Sequence, residues 1–325
     1  MDKEYLRVSP FKISDEHYLF FDIFYKNELI YIIAPFYHST FPDFSLLKVF
    51  QEQTQLELVK THVRNAYEPT CVLIYKPNII ADDINVNVWY ENTQHAYHLK
   101  HYQTTKTDYL VQTTLCLHDL YLVDMYCDYH TKMGVEKFYM YYNGAVTDDI
   151  RNKFNKENVL LIEWNFHFFN NLNKHKNYYQ HHAIPGHMQH ALYKYGKDSA
   201  QFMLFNDLDE YVYIKNNTLQ NLLLQNPDCI YLNNAWSRLS NNSIPSTFPT
   251  TFLTSQPVHY ERSKCIHNTD SVELVTGHYW NKLTDEANAR GYNGIHNIDN
   301  ISLHFCNWSR PDRTLPNVTF YEITL

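Results

Sequence analysis

The sequence is poor in glycine and in positive charge, and each shortage excludes a class of protein. Only 7 of the 325 residues are glycine, and none forms the Gly-x-x-x-x-Gly-Lys loop that cradles phosphates in many nucleotide-hydrolysing enzymes. The formal net charge of -8 argues against a protein that binds nucleic acid through bulk positive charge. An anionic ligand would therefore need a metal ion or a local basic group.

Long apolar runs and paired cysteines are also missing. The most apolar early window, residues 18–36, is interrupted by Asp22, Lys26 and Glu28 and cannot span a bilayer. Residues 1–5 are charged and contain no apolar signal core. The six cysteines are scattered without a Cys-x-x-Cys pair, so we expect mostly buried free thiols and no zinc site. These absences predict a soluble, cytoplasmic protein without a transmembrane segment.

Strand-like segments dominate the first hundred residues. Residues 17–25 and 29–34 flank a polar turn and predict a hairpin, and residues 71–75 predict another strand. The only segment there with a weak helical pattern is 44–53. We therefore expect a β-rich N-terminal region over residues 1–104, to which the sequence assigns no chemistry.

Strands and helices alternate in the rest of the chain. Strands are predicted at 109–116, 135–142 and 159–164, with a helix in each interval, which is the alternation of a doubly wound parallel sheet. The first of these helices would begin at Asp119, a residue type that often caps helix N-termini. The sequence thus predicts an α/β domain over residues 105–325.

One acidic stretch in this domain has the composition of a ligand site. Apolar residues 202–205 predict a buried strand, and Asp207, Asp209 and Glu210 follow it directly. Ligands of open α/β sheets bind at the carboxyl ends of strands, and an Asp-x-Asp spacing lets two carboxylates converge on one hard divalent cation. A solvated acidic turn between two strands is the alternative interpretation.

Two blocks of this domain resemble glycosyltransferase family 92 and its relatives with a GT-A fold. Residues 118–143 are similar to that family's helix, glycine and strand ending in a tyrosine and an Asp or Asn. Residues 200–212 look like its apolar strand followed by Asp-x-Asp-Glu and an aromatic residue. Weaker similarities lie at Gln189, Ser263–Lys264 and His304–Phe305. The sequence departs from the family at Asn206, where an apolar residue is usual, and at Phe305, which replaces a tyrosine.

The resemblance implies a fold and an activity. The fold would be α/β, with a GT-A-like (Rossmann-like) mixed sheet flanked by helices. The activity would be that of a metal-dependent hexosyl- or pentosyltransferase, which moves a sugar from a nucleotide-sugar donor, with a UDP-sugar favoured, to a glycan or glycoprotein acceptor. Mn²⁺ or Mg²⁺ would be held by Asp207 and Asp209. A further ligand would be His304 or, as second choice, His278.

The resemblance also suggests roles for other residues. Glu210 would support the site or touch the sugar, and an inverting reaction, which the resemblance favours, would need a carboxylate base. Glu261 and Asp270 are candidates for that base, as are Glu273, Asp285 and Glu286, and the sequence alone does not choose among them. The residues expected to bind the nucleotide part of the donor are Thr114, Leu115, His118, Tyr142, Asn143, Asp207 and Lys264.

Two other functions remain open at the level of sequence. A noncatalytic glycan-binding or structural protein could keep the same fold. A metal-dependent nucleotidyl- or phosphotransferase could use the same carboxylates. Metal and donor binding would separate the first alternative from a transferase.

Overall fold

The structure is a computed structural model of the chain. The residues that it describes are 5–15, 17–35, 42–64, 69–168, 182–240, 244–258, 262–277, 282–309 and 318–324.

The described residues fall into two compact units. The mixed-sheet unit comprises those of Met1–Leu6, Thr107–Glu163 and Ala200–Leu325, and the N-terminal unit comprises those of Arg7–Lys106 and Trp164–Ser199. The sequence predicted a division near residue 105, which is next to the junction between Lys106 and Thr107. Trp164–Ser199, however, groups with the N-terminal unit and not with the domain in which the sequence pattern placed it.

Strands are the most abundant regular elements in both units. The first eleven are β1 (Leu6–Arg7), β2 (Phe11–Lys12), β3 (Tyr18–Phe20), β4 (Asp22–Lys26), β5 (Leu29–Pro35), β6 (Leu47–Gln51), β7 (Thr54–Gln55), β8 (Glu57–Arg64), β9 (Thr70–Lys76), β10 (Asp83–Tyr90) and β11 (Thr93–Tyr102). The next are β12 (Asp108–Cys116), β13 (Lys137–Tyr142), β14 (Val159–Glu163), β15 (Ala200–Phe205), β16 (Glu210–Ile214), β17 (Cys229–Arg238) and β18 (Thr251–Ser255). The last are β19 (Lys264–Asn268), β20 (Val272–Leu274), β21 (Lys282–Leu283), β22 (Gly294–Ile295), β23 (Asn300–His304) and β24 (Phe320–Thr324).

The helices are short. They are α1 (Val123–Lys132), α2 (Asp148–Lys153), α3 (Ala183–Ala191), α4 (Leu219–Leu223), α5 (Asp285–Ala289) and α6 (Cys306–Ser309). Two 3₁₀ turns, Phe44–Leu46 and Leu120–Leu122, and a π-helical turn, Leu192–Gly196, supplement them. Within the described ranges, no helix has the length and apolar character needed to cross a membrane.

The large sheet of the mixed-sheet unit combines parallel and antiparallel strands. Strands β14, β13, β12 and β15 lie side by side in that order and run parallel. Strand β19 then pairs antiparallel with β15, and β17 pairs antiparallel with β19. Strand β23 joins this sheet by a parallel pairing with β17. Strand β16 in turn pairs antiparallel with β23. The prediction of a mixed α/β sheet is confirmed.

Local sequence explains the first strand–helix–strand segment of this sheet. Helix α1 buries Tyr126 in the same core as Phe138 of β13 and Leu204 of β15. It ends at Lys132, and Gly134 follows with a φ of +97°, which costs glycine little but strains other residues. The sequence had predicted that Asp119 caps this helix, but its side chain makes no capping hydrogen bond. Asp119 has a φ of 64° and precedes a 3₁₀ turn.

The N-terminal unit is built on an eight-stranded sheet with the order β7-β6-β10-β11-β4-β5-β9-β8. The predicted hairpin of β4 and β5 is present, with Lys26 opposite Leu29. The weak helical pattern at 44–53 was misleading. After a single 3₁₀ turn the chain forms β6, in which Leu47, Val49 and Gln51 are buried in alternation, the period of a strand.

Buried polar contacts explain why residues 164–199 group with the N-terminal unit. Asp22 of β4 accepts hydrogen bonds from His190 Nε2 at 2.8 Å and from Lys194 Nζ at 2.9 Å. The Nζ of Lys26 donates to the carbonyl oxygens of Tyr193, at 3.0 Å, and of Lys197. Because buried polar groups are costly without partners, these contacts require α3 and the π-helical turn to pack on β4.

Three buried histidines make stability depend on pH. Burial lowers the pKa of His130 to about 3 and the pKa values of His182 and His190 to about 4, from an ordinary value of 6.5. The backbone carbonyls that contact His130 and His182, and Asp22 beside His190, offset this effect only in part. Between about pH 4 and pH 6.5 the unfolded chain therefore binds more protons than the folded chain.

We expect the contribution of these three histidines to the free energy of unfolding to be largest above pH 6.5 and to fall as the pH drops towards 4. Each histidine contributes a slope of up to about 1.4 kcal/mol per pH unit. Urea unfolding at a series of pH values measures the slope. In the His130→Phe variant, the free energy of unfolding should depend less steeply on pH than in the wild type. The His98→Phe variant, which changes an exposed position of β11, should keep the full slope. Equal slopes in all three proteins would contradict the assignment.

Candidate functional site

The carboxyl ends of three parallel strands meet at one edge of the mixed sheet. The register places Cys116 of β12 beside Tyr142 of β13, and Thr113 of β12 beside Phe205 of β15. The N–H of Asn143 donates to the carbonyl oxygen of Cys116 at 2.7 Å. The acidic residues follow Phe205 directly, so they lie at this edge, where open α/β sheets bind ligands.

The acidic residues form a tight turn between β15 and β16. The N–H of Asp207 donates to Glu210 Oε2 at 2.9 Å, and the N–H of Glu210 donates to the carbonyl oxygen of Asp207 at 3.1 Å. The carbonyl oxygen of Asp209 accepts from the N–H of Phe305 at 2.8 Å. The backbone of the Asp-x-Asp segment is thereby fixed on both sides.

Asn206, the departure from the family pattern, organises a buried hydrogen-bond network. Its Oδ1 accepts from Gln112 Nε2 and from the Tyr126 hydroxyl, both at 2.5 Å. Its Nδ2 donates to the carbonyl oxygen of Glu210 at 2.8 Å. All three side chains are buried. The network ties β12 and α1 to the start and the end of the acidic turn.

Lys264 supplies the counter-charge of the turn. Its Nζ lies 2.9 Å from Asp207 Oδ2 and 3.1 Å from Glu210 Oε2. Burial opposes the charged form of the lysine, but the two carboxylates prevail and raise the pKa of Lys264. Burial also raises the pKa of Glu210, which Lys264 offsets only in part. The sequence had assigned Lys264 to a phosphate, whereas here its ammonium group neutralises carboxylates.

His304 reaches the turn through strand pairing. It lies opposite Glu210 in the β16–β23 register and beside Trp236 in the β17–β23 register. Its Nε2 is 3.5 Å from Asp209 Oδ2, its Nδ1 is 3.2 Å from Asn234 Oδ1, and its ring stacks on Trp236 with centroids 4.8 Å apart. Burial would lower the pKa of His304, but the carboxylates, Asp209 first, raise it.

The arrangement suits a hard divalent cation. Three carboxylates and one ammonium group leave a net charge of about two negative units when the imidazole is neutral. The negative potential that raises the pKa of His304 also attracts a metal ion. Asp209 and His304 present a carboxylate and an imidazole side by side, and Asp207, whose side chain is 58% exposed, presents a second carboxylate to solvent. Oxygen and imidazole ligands of this kind suit Mn²⁺, and oxygen ligands suit Mg²⁺.

The predicted nucleotide-binding residues lie at or just beyond the same edge. Tyr142 is half-buried, Asn143 is buried, and His118 is exposed two residues after β12. Leu115 is half-buried, whereas Thr114 is only 1% exposed, so its side chain does not face solvent there.

Asp270 is not part of this edge. Strand β19 begins at Lys264 beside the carboxyl end of β15 and runs antiparallel to it, so Asp270, beyond the far end of β19, lies at the opposite edge. That position argues against the predicted role as a base beside the acidic turn. Glu261 and His278, a further base candidate and the second choice of histidine ligand, lie outside the described residues.

Several residues of the site had no signal in the sequence. Gln112 and Tyr126 belong to a strand and a helix that read as ordinary core elements. Asn234 and Trp236 belong to β17, which reaches the site through its pairings with β23 and with β19. Buried glutamine and asparagine side chains inside apolar strands are a usable signal, because such groups need hydrogen-bond partners.

Comparison with known proteins bears on this site. The sequence model described as glycosyltransferase family 92 matches residues 111–299, which is more than half of the chain and includes the acidic turn and Lys264. A search of curated proteins gives no match to the chain.

Replacing Asn206 with leucine, closer to the family pattern, should destabilise the mixed-sheet unit. Gln112 Nε2 and the Tyr126 hydroxyl would both lose their bond to the amide oxygen, and only the bond from Gln112 Nε2 to the Tyr126 hydroxyl, at 2.7 Å, would remain between them. Unsatisfied buried groups cost about 1–3 kcal/mol each, so we expect a loss of about 3 kcal/mol in urea unfolding. Adding Gln112→Leu together with Tyr126→Phe, which removes both donors, should recover part of this loss. Asn221→Leu, at an exposed position of α4, is the control and should change stability by less than about 0.5 kcal/mol. Similar losses in both single variants would contradict the network.

Proposed function

The chain belongs to glycosyltransferase family 92, and on that basis we propose that it is a metal-dependent transferase with a GT-A fold. It would move a hexose or pentose from a nucleotide-sugar donor, with a UDP-sugar favoured, to a glycan or glycoprotein acceptor. The observation that carries the proposal is the cluster of Asp207, Asp209 and His304 at the carboxyl edge of the parallel strands. The buried Lys264 neutralises only part of the negative charge at this cluster.

Asp207, Asp209 and His304 are the residues that would hold Mn²⁺ or Mg²⁺. When bound, the cation would neutralise the diphosphate of the donor and stabilise the departing nucleoside diphosphate as a Lewis acid. Asp209 and His304 are buried side by side, so the protein fixes their positions before any ligand arrives. Asp207 is the exposed carboxylate and is therefore also suited to contact the ribose.

Glu210 and Lys264 are positioning residues in this proposal. Both side chains are buried, at 1% and 7% exposure, and they bond to each other and to Asp207. They hold the acidic turn in one conformation and are not accessible to a sugar. The sequence had allowed Glu210 to touch the sugar, and its burial favours the alternative, which is support of the site.

The nucleotide would lie along the ends of β12 and β13. Tyr142 offers a half-buried ring on which a base can stack, and Asn143 and His118 offer hydrogen-bonding groups nearby. All three residues lie at the edge of the sheet that carries Asp207. One extended nucleotide could therefore place its base at these residues and its diphosphate at the acidic turn.

The key test of this proposal is metal-dependent donor binding. A ligand at 100 times its Kd stabilises the folded protein by about 2.7 kcal/mol, so the melting temperature should rise by a few degrees with a UDP-sugar and Mn²⁺. We expect the Asp209→Asn variant to fold, to lose this shift and to transfer sugar at least about 100-fold more slowly. Asp270→Asn, at the opposite edge of the sheet, is the matched control and should keep both the shift and the rate.

Other outcomes would favour the alternative functions. No shift with any nucleotide, with or without metal, would indicate a noncatalytic glycan-binding or structural protein. A metal-dependent shift with nucleotide or phosphate transfer, and no transfer of sugar, would indicate a nucleotidyl- or phosphotransferase.

We also expect the transfer to invert the anomeric configuration. Inversion needs a carboxylate base beside the acceptor hydroxyl, and Glu261 remains a candidate because Asp270 lies at the other edge. Proton NMR of the product at early times measures its anomeric configuration directly. A product with the configuration of the donor would contradict inversion. Unchanged transfer by Glu261→Gln would exclude that residue as the base.

A further inference from the structure

A second cluster of possible metal ligands lies on two neighbouring strands of the mixed sheet. Cys229 begins β17, and Cys265 and His267 belong to β19. In the antiparallel register Cys229 lies opposite His267, and Tyr231 lies opposite Cys265. Side chains alternate between the two faces of a strand, so the three side chains share one face. Their ligand atoms all lie within 4.8 Å of one another.

This cluster is deeply buried and separate from the acidic turn. Cys229, Cys265 and His267 are 1%, 2% and 1% exposed. Ile266, between the last two, packs into the main core of the unit. Lys264 has the same parity as Ile266 along β19, so it points to the face opposite the cluster. The two sets of side chains therefore do not share a ligand.

The imidazole of His267 is the feature that requires explanation. Neither of its ring nitrogens has a hydrogen-bond partner among the described residues, although the residue is almost fully buried. An unsatisfied buried polar group costs about 1–3 kcal/mol, and such groups are rare in native proteins. The packing of its ring near Phe205, with centroids 5.8 Å apart, satisfies neither nitrogen.

The two thiols converge on the same space. Cys229 forms side-chain hydrogen bonds with Cys265 and with Tyr292. Two thiolates and one imidazole are a ligand set typical of zinc. Hard cations such as Mg²⁺ do not favour thiolate ligands.

We propose that Cys229, Cys265 and His267 bind one Zn²⁺ ion as a structural site that joins β17 to β19. Binding would form two Zn–S bonds and one Zn–N bond and release the two thiol protons. Two thiolates balance the charge of the ion, so the buried site needs no further counter-charge. The Tyr292 hydroxyl, which hydrogen-bonds with Cys229, would be a candidate for the fourth ligand.

The distances require only a small adjustment. Zinc bonds of about 2.3 Å to sulfur and 2.0–2.1 Å to nitrogen place ligand atoms of a tetrahedral site roughly 3.4–3.8 Å apart. The separations of up to 4.8 Å must therefore shorten by at most about 1.4 Å. Side-chain rotations on fixed strands can supply a change of this size.

Metal analysis of the full-length protein tests the site. Purified without added metal or chelator, the wild type should contain about one zinc ion per chain, measured by inductively coupled plasma mass spectrometry. The Cys265→Ser and His267→Ala variants should lose it. Cys127→Ser, which removes a buried thiol of α1, and Asp209→Asn, at the acidic turn, should retain it. Zinc loss in Asp209→Asn, with zinc kept in Cys265→Ser, would place the ion at the other site and overturn the proposal.

Two measurements on the wild type keep the test independent of how the variants fold. Removal of zinc by a strong chelator should lower the melting temperature, and added Zn²⁺ should restore it. Reconstitution with Co²⁺ should give a thiolate-to-cobalt charge-transfer band in the near ultraviolet. The absence of both effects would overturn the proposal.

Thiol titration in denaturant distinguishes the main chemical alternative. A chain with a zinc site should show all six cysteines as reactive thiols once unfolded with chelator. A Cys229–Cys265 disulfide would remove two of them and overturn the proposal. Copper in place of zinc in the wild type would also overturn it.

Discussion

The site depends on one buried cation, the Lys264 ammonium group, which forms an ion pair with the buried Glu210 and another with the exposed Asp207. Three carboxylates within four residues repel one another, and a buried carboxylate without a partner is strongly unfavourable. Lys264 reduces this repulsion and gives Glu210 a charged partner. The backbone N–H of Asp207 donates a further hydrogen bond to Glu210. These ion pairs require β19 to lie beside β15, so a long-range strand pairing is a condition for the local acidic turn.

Strand register brings the remaining groups to the turn. His304 is 94 residues from Glu210 in sequence, but the antiparallel pairing of β16 with β23 places them opposite each other. The parallel pairing of β23 with β17 adds Trp236 and Asn234 around the imidazole ring. A slip of one residue in either pairing would turn His304 to the other face. The position of the imidazole is therefore set by backbone hydrogen bonds and needs no help from a ligand.

The sequence predicted the parts of the fold that follow from local pattern. The alternation from β12 to β14 and the carboxylates after β15 were visible because buried strands and acidic turns have a distinct composition. The strand at Leu47–Gln51 was missed because its pairing with β10 overrides a weak helical pattern. The grouping of residues 164–199 with the N-terminal unit depends on Asp22 and Lys26, more than 150 residues away. Asn206 looked like a departure from a family pattern, and only the structure shows the amide as a bridge among three elements.

Strand β19 shows why spacing along the sequence does not reveal the cluster of Cys229, Cys265 and His267. Cys265 and His267 are separated by one residue and Cys229 is on another strand, so no Cys-x-x-Cys pair signals the cluster. Alternation gives this strand two chemically different faces, with Lys264 directed to the carboxylates and Cys265 and His267 directed away from them. Hard cations prefer the oxygen-rich face, whereas zinc prefers the thiols. If both proposed sites are loaded, one strand separates an exchangeable ion for donor binding from a fixed ion that holds β17 and β19 in register. Because that register positions Lys264 on one strand and Trp236 and Asn234 on the other, the fixed ion would stabilise the geometry on which the acidic turn depends.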